Sequence, residues 1–179
     1  MKRIRSLIML VLVLCLSLTM FVGCSKDETK KETDSEKKNE EESKETQLPD
    51  MKKLCEDMLA ADKSLPEMSV VYGSDENGSD LFQYLADFDV DKVEDFFFAY
   101  ATEGTAEEIA VVYLKDEDDT EDLEEAIEDH VEGRIIQFRT YDPSQVERCE
   151  DAVIEAKDNY VILIIADEAK DVKAVFDEQ

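Results

Sequence analysis

Two residues that could do chemistry, His130 and Arg134, lie one helical turn apart. Histidine serves as a general acid or base near neutral pH, and arginine binds carboxylates and phosphates through paired N–H groups. His130 is the only histidine of the chain, and no Ser-His-Asp or Cys-His set is recognisable around it. The pair predicts either a site for an anionic ligand or a buried carboxylate, or a helix that overhangs the sheet while Arg134 extends to water. We favour the overhanging helix, with Arg134 extended to water.

Three acidic runs match the first ligand positions of a calcium-binding loop but lack its later residues. Asp87, Asp89 and Asp91 have the first three ligand spacings of an EF-hand, but Lys92 replaces the glycine and Phe98 the final glutamate. The runs that start at Asp75 and Asp116 also lack the glycine, as counted along the sequence. We therefore expect a solvated acidic surface and no defined metal site.

The chain has four cysteines: Cys15, Cys24, Cys55 and Cys149. No C-x-x-C, zinc or haem spacing is present, so no cofactor is expected. Cys55 and Cys149 are the candidates for a disulfide, but Cys55 lies on an apolar helix stripe. We favour free, buried thiols at both positions.

Cys24 stands where an apolar segment changes into a charged one. Residues 1–24 have a basic start, an apolar stretch from Leu7 to Val22 and a small residue before the cysteine, which is the pattern of an export signal. The stretch is shorter than the roughly 20 residues that span a bilayer. The last four positions resemble a bacterial lipobox, in which the cysteine thiol is acylated and becomes the new N-terminus. They are Phe21, Val22, Gly23 and Cys24.

The segment 25–47 is dominated by Lys, Glu, Ser and Thr, and it has no aliphatic or aromatic side chain. Such a composition cannot bury apolar area, so a disordered tether is predicted. The formal net charge of the chain is −27, and residues 48–179 account for all of it, with 38 acidic against 11 basic side chains. This charge repels phosphate, so nucleic acid is excluded as a partner.

Residues 48–179 are predicted to form one α+β domain. An amphipathic helix is predicted after Pro49, followed by four to five strands in ββαββα order with hairpin turns near Gly104 and at Asp158-Asn159. We expect a mainly antiparallel sheet with the helices packed on one face. The long helix should bury one apolar face, formed by Leu123, Ile127, Val131, Phe138 and Tyr141.

Three stretches resemble a known family: "TAEEIAVVYLKDEDD", "FRTYDPSQ" and "DNYVILIIADEAKDVKAVF". They are similar to small lipoproteins of Gram-positive clostridial bacteria that carry only a domain-of-unknown-function label. The resemblance covers most of Leu48 to Phe176 and is clearest from Ala106 on. It implies export and an α+β fold, and it brings no activity, cofactor or catalytic residue.

These observations lead to two hypotheses of function. The first is a non-enzymatic accessory module, held at the outer face of the membrane by its N-terminal lipid, that contacts an envelope protein with a basic face. The second is a lipoprotein that binds a small ligand or metal, with His130 and Arg134 in a pocket. A concave pocket at these two residues would favour the second hypothesis, and a flat acidic face with an apolar centre would favour the first.

Overall fold

The structure is a computed structural model, and it describes residues 50–179 of the chain. Five helices and five strands make up this part. In chain order they are α1 (Met51–Ala61), β1 (Met68–Tyr72), α2 (Gly78–Phe82), β2 (Val93–Ala101), β3 (Glu108–Leu114), α3 (Thr120–Tyr141), α4 (Val146–Glu150), β4 (Val153–Lys157), β5 (Tyr160–Ile165) and α5 (Ala169–Asp177). Three short 3-10 turns occupy Val90–Lys92, Glu117–Asp119 and Pro143–Gln145.

The five strands form one sheet in the order β1-β2-β3-β5-β4, and every neighbouring pair is antiparallel. This confirms the predicted α+β fold with an antiparallel sheet. Both predicted hairpins are present: β2–β3 turns at Gly104, and β4–β5 turns at Asp158 and Asn159. Gly104 has a φ of +78°, a conformation that glycine adopts without a steric penalty. The hairpins meet through β3 and β5, where Ile109 lies opposite Ile164.

Helices cover both faces of the sheet, so the prediction that they pack on one face is wrong. Along β3, Ala110, Val112 and Leu114 join a core that includes residues of α3, while Ile109 and Val111 face residues of α1 and α5. The reason is visible in β3 itself, which is apolar on both faces. A sheet with two apolar faces must bury both, and a fully buried aliphatic side chain contributes about 1.5–3 kcal/mol.

Helix α3 places the residues of the site. Four of the five residues predicted for its apolar face are buried: Leu123, Ile127, Val131 and Phe138. The fifth, Tyr141, is 79% exposed, so that part of the prediction is wrong. Tyr141 is the last residue of the helix, and the chain turns at Asp142 into a 3-10 segment that begins with Pro143. The ring thus lies at the end of the helix, in solvent.

Asp62 joins the end of α1 to the start of α5. The residue is 2% exposed, and its carboxylate accepts hydrogen bonds from Ser64 N (2.7 Å), Ser64 Oγ (2.5 Å) and Glu168 N (3.1 Å). Burial raises the pKa of Asp62, but the hydrogen bonds from Ser64 and Glu168 outweigh it and hold the pKa below the usual 3.8. The ionised form is thus preferred in the folded state.

Replacing Asp62 with Asn should lower the free energy of unfolding by about 1–2 kcal/mol at neutral pH, since charge-assisted hydrogen bonds are lost. Because folding lowers this pKa, the stabilisation is present above 3.8 and is lost as the pH falls through the lower folded value. Urea unfolding at pH 7 and pH 3 should therefore show a difference between wild type and Asp62→Asn that shrinks in acid. Asp142→Asn is a matched control, because Asp142 accepts the same two bonds from Ser144 but none from a distant residue. An equal loss in both variants would refute the long-range role.

Candidate functional site

A cleft of about 770 Å3 opens beside α3, over strands β1 and β2. The strands contribute Val71, Phe98 and Tyr100 to its lining. One side of α3 contributes Asp129, His130, Gly133, Arg134 and Gln137. Leu81 of α2 and Tyr84, which follows that helix, line it as well. The volume is within the range of small-ligand sites.

Glu108, the first residue of β3, lies in this cleft and is 3% exposed. His130 Nε2 donates to its Oε2 over 2.6 Å, and Arg134 Nε lies 2.9 Å from its Oε1. The favoured interpretation, in which Arg134 extends to water, is therefore wrong. The alternative, in which the two residues hold a buried carboxylate, is the one observed. The physical reason is that a buried carboxylate is costly unless it is paired, and α3 supplies the partners.

Further contacts fix the Arg134 side chain. Its Nη2 donates to the carbonyl of Thr105 over 3.1 Å, and its guanidinium lies over the ring of Phe138, 4.7 Å from the ring centre. The Nε–H group is not directed at the Glu108 oxygen, so this contact is an ion pair without a well-aligned hydrogen bond. The side chain is 20% exposed. Arg134 thus forms a rigid part of the cleft.

The imidazole of His130 is held by two neighbours. Besides the bond to Glu108, its ring meets Phe98 nearly edge to face, with ring centres 6.5 Å apart and an interplanar angle of 89°. The described lining contains neither serine nor cysteine, so His130 has no such nucleophile in the cleft. This arrangement suits the binding of a ligand by groups that are already oriented.

A second ion-pair cluster, absent from the sequence prediction, centres on Arg148. Its Nη1 lies 3.2 Å from Glu107 Oε1, and its Nη2 lies 2.9 Å from Asp167 Oδ1. Gln145 Oε1 accepts from Arg148 and from the backbone N–H of Ala106. The cluster ties α4 to residues just before β3 and just after β5. In the sequence, the cluster corresponds only to the short stretch "QVER", and this stretch does not indicate which distant residues Arg148 contacts.

Cys55 and Cys149 are free, buried thiols that belong to the two separate hydrophobic cores. The sheet lies between these cores, so the candidate disulfide is not formed. Burial raises the pKa of Cys55 to about 11 and also raises the pKa of Cys149. Neither thiol is a nucleophile at neutral pH.

The carboxylates of the acidic runs contact other groups of the domain. Asp89 accepts from the N–H of Asp91, Asp116 accepts from the N–H of Asp118, and Asp119 pairs with Lys92 at 2.7 Å. Among residues 50–179, no group of three or more His, Cys, Asp or Glu side chains is arranged to hold a metal ion.

Phe21, Val22, Gly23 and Cys24 lie outside the described residues, as does the predicted tether 25–47. Within the part that is described, no helix has both the length and the apolar character needed to cross a bilayer.

The fold and cleft define an α+β domain with a central antiparallel sheet, helices on both faces and a polar-and-aromatic cleft at one end. Residues 67–166 match the family described as "Domain of unknown function (DUF4358)", and the chain belongs to that family. The match runs from just before β1 to just after β5. No curated protein and no solved structure matches the chain.

Proposed function

We propose that this protein is a lipoprotein of the outer face of the cell membrane, and that its folded domain binds a small ligand in the cleft beside α3. The cleft that converges on His130, Arg134 and Glu108 is the observation that carries the ligand-binding part. The anchor rests on the lipobox pattern at Cys24 and on the resemblance to clostridial lipoproteins. Two or more acyl chains give stable attachment, where one chain is marginal.

The cleft is already formed before any ligand arrives. Glu108, His130 and Arg134 are each held by at least two contacts, so little side-chain entropy is lost when they bind something. We assign the cleft a binding role, because its charged groups are paired with one another and already fixed in position. The ligand-binding hypothesis is thereby favoured over the accessory module.

Gly133 supports a binding role independently. It lies inside the 22-residue helix α3, where glycine costs about 1 kcal/mol relative to alanine. Apart from the chain neighbours and the local helix backbone, no atom lies within 4 Å of the position that a Cβ would occupy, so packing does not require glycine here. The residue is exposed and lines the cleft. Its missing side chain keeps the cleft open at the expense of helix stability.

Replacing Gly133 with Leu should raise the free energy of unfolding by about 0.5–1 kcal/mol while it closes the cleft. Amide NMR titration with a library of small fragments should show binding to the cleft of wild type and a loss of at least tenfold in affinity in Gly133→Leu. Thr140→Leu is the matched control, because Thr140 is exposed on the same helix and does not line the cleft. Unchanged fragment binding in Gly133→Leu would refute the assignment of the site.

A second candidate is contact with a basic envelope protein. Between Lys115 and Arg134 the chain has eleven acidic residues and no lysine or arginine. A shallow groove of about 310 Å3 lies beside α3 and β4, with an apolar base and a glutamate rim. Its base includes Val131, Ile135, Ala152 and Ile154, and its rim includes Glu128, Glu132 and Glu150.

Charge complementarity favours a partner whose basic residues flank apolar ones. In-cell crosslinking of the anchored protein should then capture a basic envelope protein, and Glu128→Lys with Glu132→Lys should abolish that capture. Cleft variants such as Gly133→Leu should leave it unchanged. Capture that depends on the cleft would count against this candidate.

A further inference from the structure

We infer that the cleft takes an uncharged saccharide, with tyrosine rings against the sugar and polar side chains of α3 on its hydroxyls. This inference rests on the proposed function, since it names the ligand class of the same site. Three observations carry it: exposed aromatic rings, exposed planar polar groups, and a charge balance that disfavours anionic ligands.

The aromatic rings come first. Four large hydrophobic side chains are exposed in residues 50–179, and two of them, Tyr84 (71% exposed) and Tyr100 (37% exposed), line this cleft. The ring of Tyr100 also lies 5.5 Å from that of Phe98, which is itself buried. Exposed rings in a cleft offer a flat apolar surface with a polar hydroxyl at its edge. A sugar ring has an apolar C–H face that fits such a surface and a polar periphery.

The polar groups come from one side of α3. Asp129 and Gln137 are exposed in the cleft, two turns apart. A carboxylate accepts two hydrogen bonds and an amide donates and accepts, so each can bind neighbouring hydroxyl groups. Gln137 Oε1 has only a long 3.3 Å contact with Arg134 Nη1. A ligand hydroxyl can replace that contact.

The charges disfavour an anionic ligand. His130 and Arg134 are committed to Glu108, and the described residues have 38 acidic against 11 basic side chains. The resulting negative potential repels anions. The same potential attracts a cationic ligand from solution, but inside the cleft such a ligand lies beside Arg134, and both oxygens of Glu108 are already engaged. A wholly apolar ligand would bury Asp129 without a partner, which is costly. A neutral molecule with many hydroxyls avoids all three costs.

The test uses the full-length lipidated protein in lipid nanodiscs and an array of neutral oligosaccharides, followed by calorimetry on the best binder. A trimer of N-acetylglucosamine is the reference neutral probe. Its deacetylated cationic form and a trigalacturonate anion serve as charged comparators. We expect neutral glycans to bind and both charged trimers to bind at least tenfold more weakly.

Two tyrosine variants locate the binding. Tyr84→Ala should weaken the best neutral glycan at least tenfold, whereas Tyr141→Ala, which removes an equally exposed ring outside the cleft, should not change it. The saccharide assignment is overturned if no neutral glycan of the array binds, if a charged trimer binds best, or if Tyr84→Ala has no effect. Suppose that fragments bind to the wild type and not to Gly133→Leu, while no glycan binds. This result would overturn only the saccharide as ligand class, and the cleft would remain a binding site.

Discussion

The Glu108→Ala variant should lose about 3–5 kcal/mol of the free energy of unfolding, which is a large part of the stability of a small domain. The carboxylate is 3% exposed and has two partners on α3, one at 2.6 Å and one at 2.9 Å. Its removal leaves Arg134, whose side chain is 20% exposed, without its counter-charge. The cost arises mainly from that unpaired guanidinium, as is general for buried ion pairs that lose one member.

A double-mutant cycle separates this cost from simple loss of packing. Glu108→Ala combined with Arg134→Met should be less destabilised than the sum of the single variants, because no buried charge is left unpaired. Glu155→Ala is the control, since it breaks a partly exposed ion pair with Lys173, which keeps its second partner Asp177, and it should have little effect in urea unfolding. A loss in Glu108→Ala no larger than in Glu155→Ala would contradict the role given to Glu108.

The Cys24→Ala variant should abolish lipidation, and it should leave the precursor uncleaved or the domain shed from the membrane. The lipobox interpretation requires the Cys24 thiol as the acyl acceptor, and without acyl chains nothing in the described domain is suited to cross a bilayer. Mass spectrometry and membrane fractionation should show a protein without lipid. Cys15→Ala is the control, because it makes the same change inside the predicted signal and should leave lipidation intact. A processed, acylated Cys24→Ala protein in the membrane fraction would disprove the anchor.

The local parts of the fold could be predicted from the sequence, and the long-range parts could not. Both hairpins follow from β-rich runs that flank Gly104 and Asp158-Asn159, because a turn and its strands are neighbours in the chain. The pairing of β3 with β5 joins residues about 55 apart, such as Ile109 and Ile164. No local pattern specifies that partner. The sequence of β3 is apolar on both faces, and this pattern indicates that helices must cover both sides of the sheet.

The site shows the same limit. His130 and Arg134 could be singled out from their residue types and spacing, but their partner Glu108 looks like the polar edge of a strand. Only the position of α3 over the start of β3 makes it a buried carboxylate with two partners. Gly133, Tyr84 and Tyr100 carried no signal in the sequence either. The family match confirms the domain-of-unknown-function label, while the lipoprotein anchor stays a prediction.

Photocrosslinking in intact cells tests the central claim most directly, that the cleft is the binding site of an anchored module. A photoreactive residue that replaces Gln137 lies in the cleft. The same photoreactive residue in place of Thr140 is exposed on the same helix but lies outside the cleft. We expect ultraviolet light to attach a small envelope component to the membrane-bound protein at position 137 and not at 140. Equal labelling at both positions, or none at 137, would contradict the account.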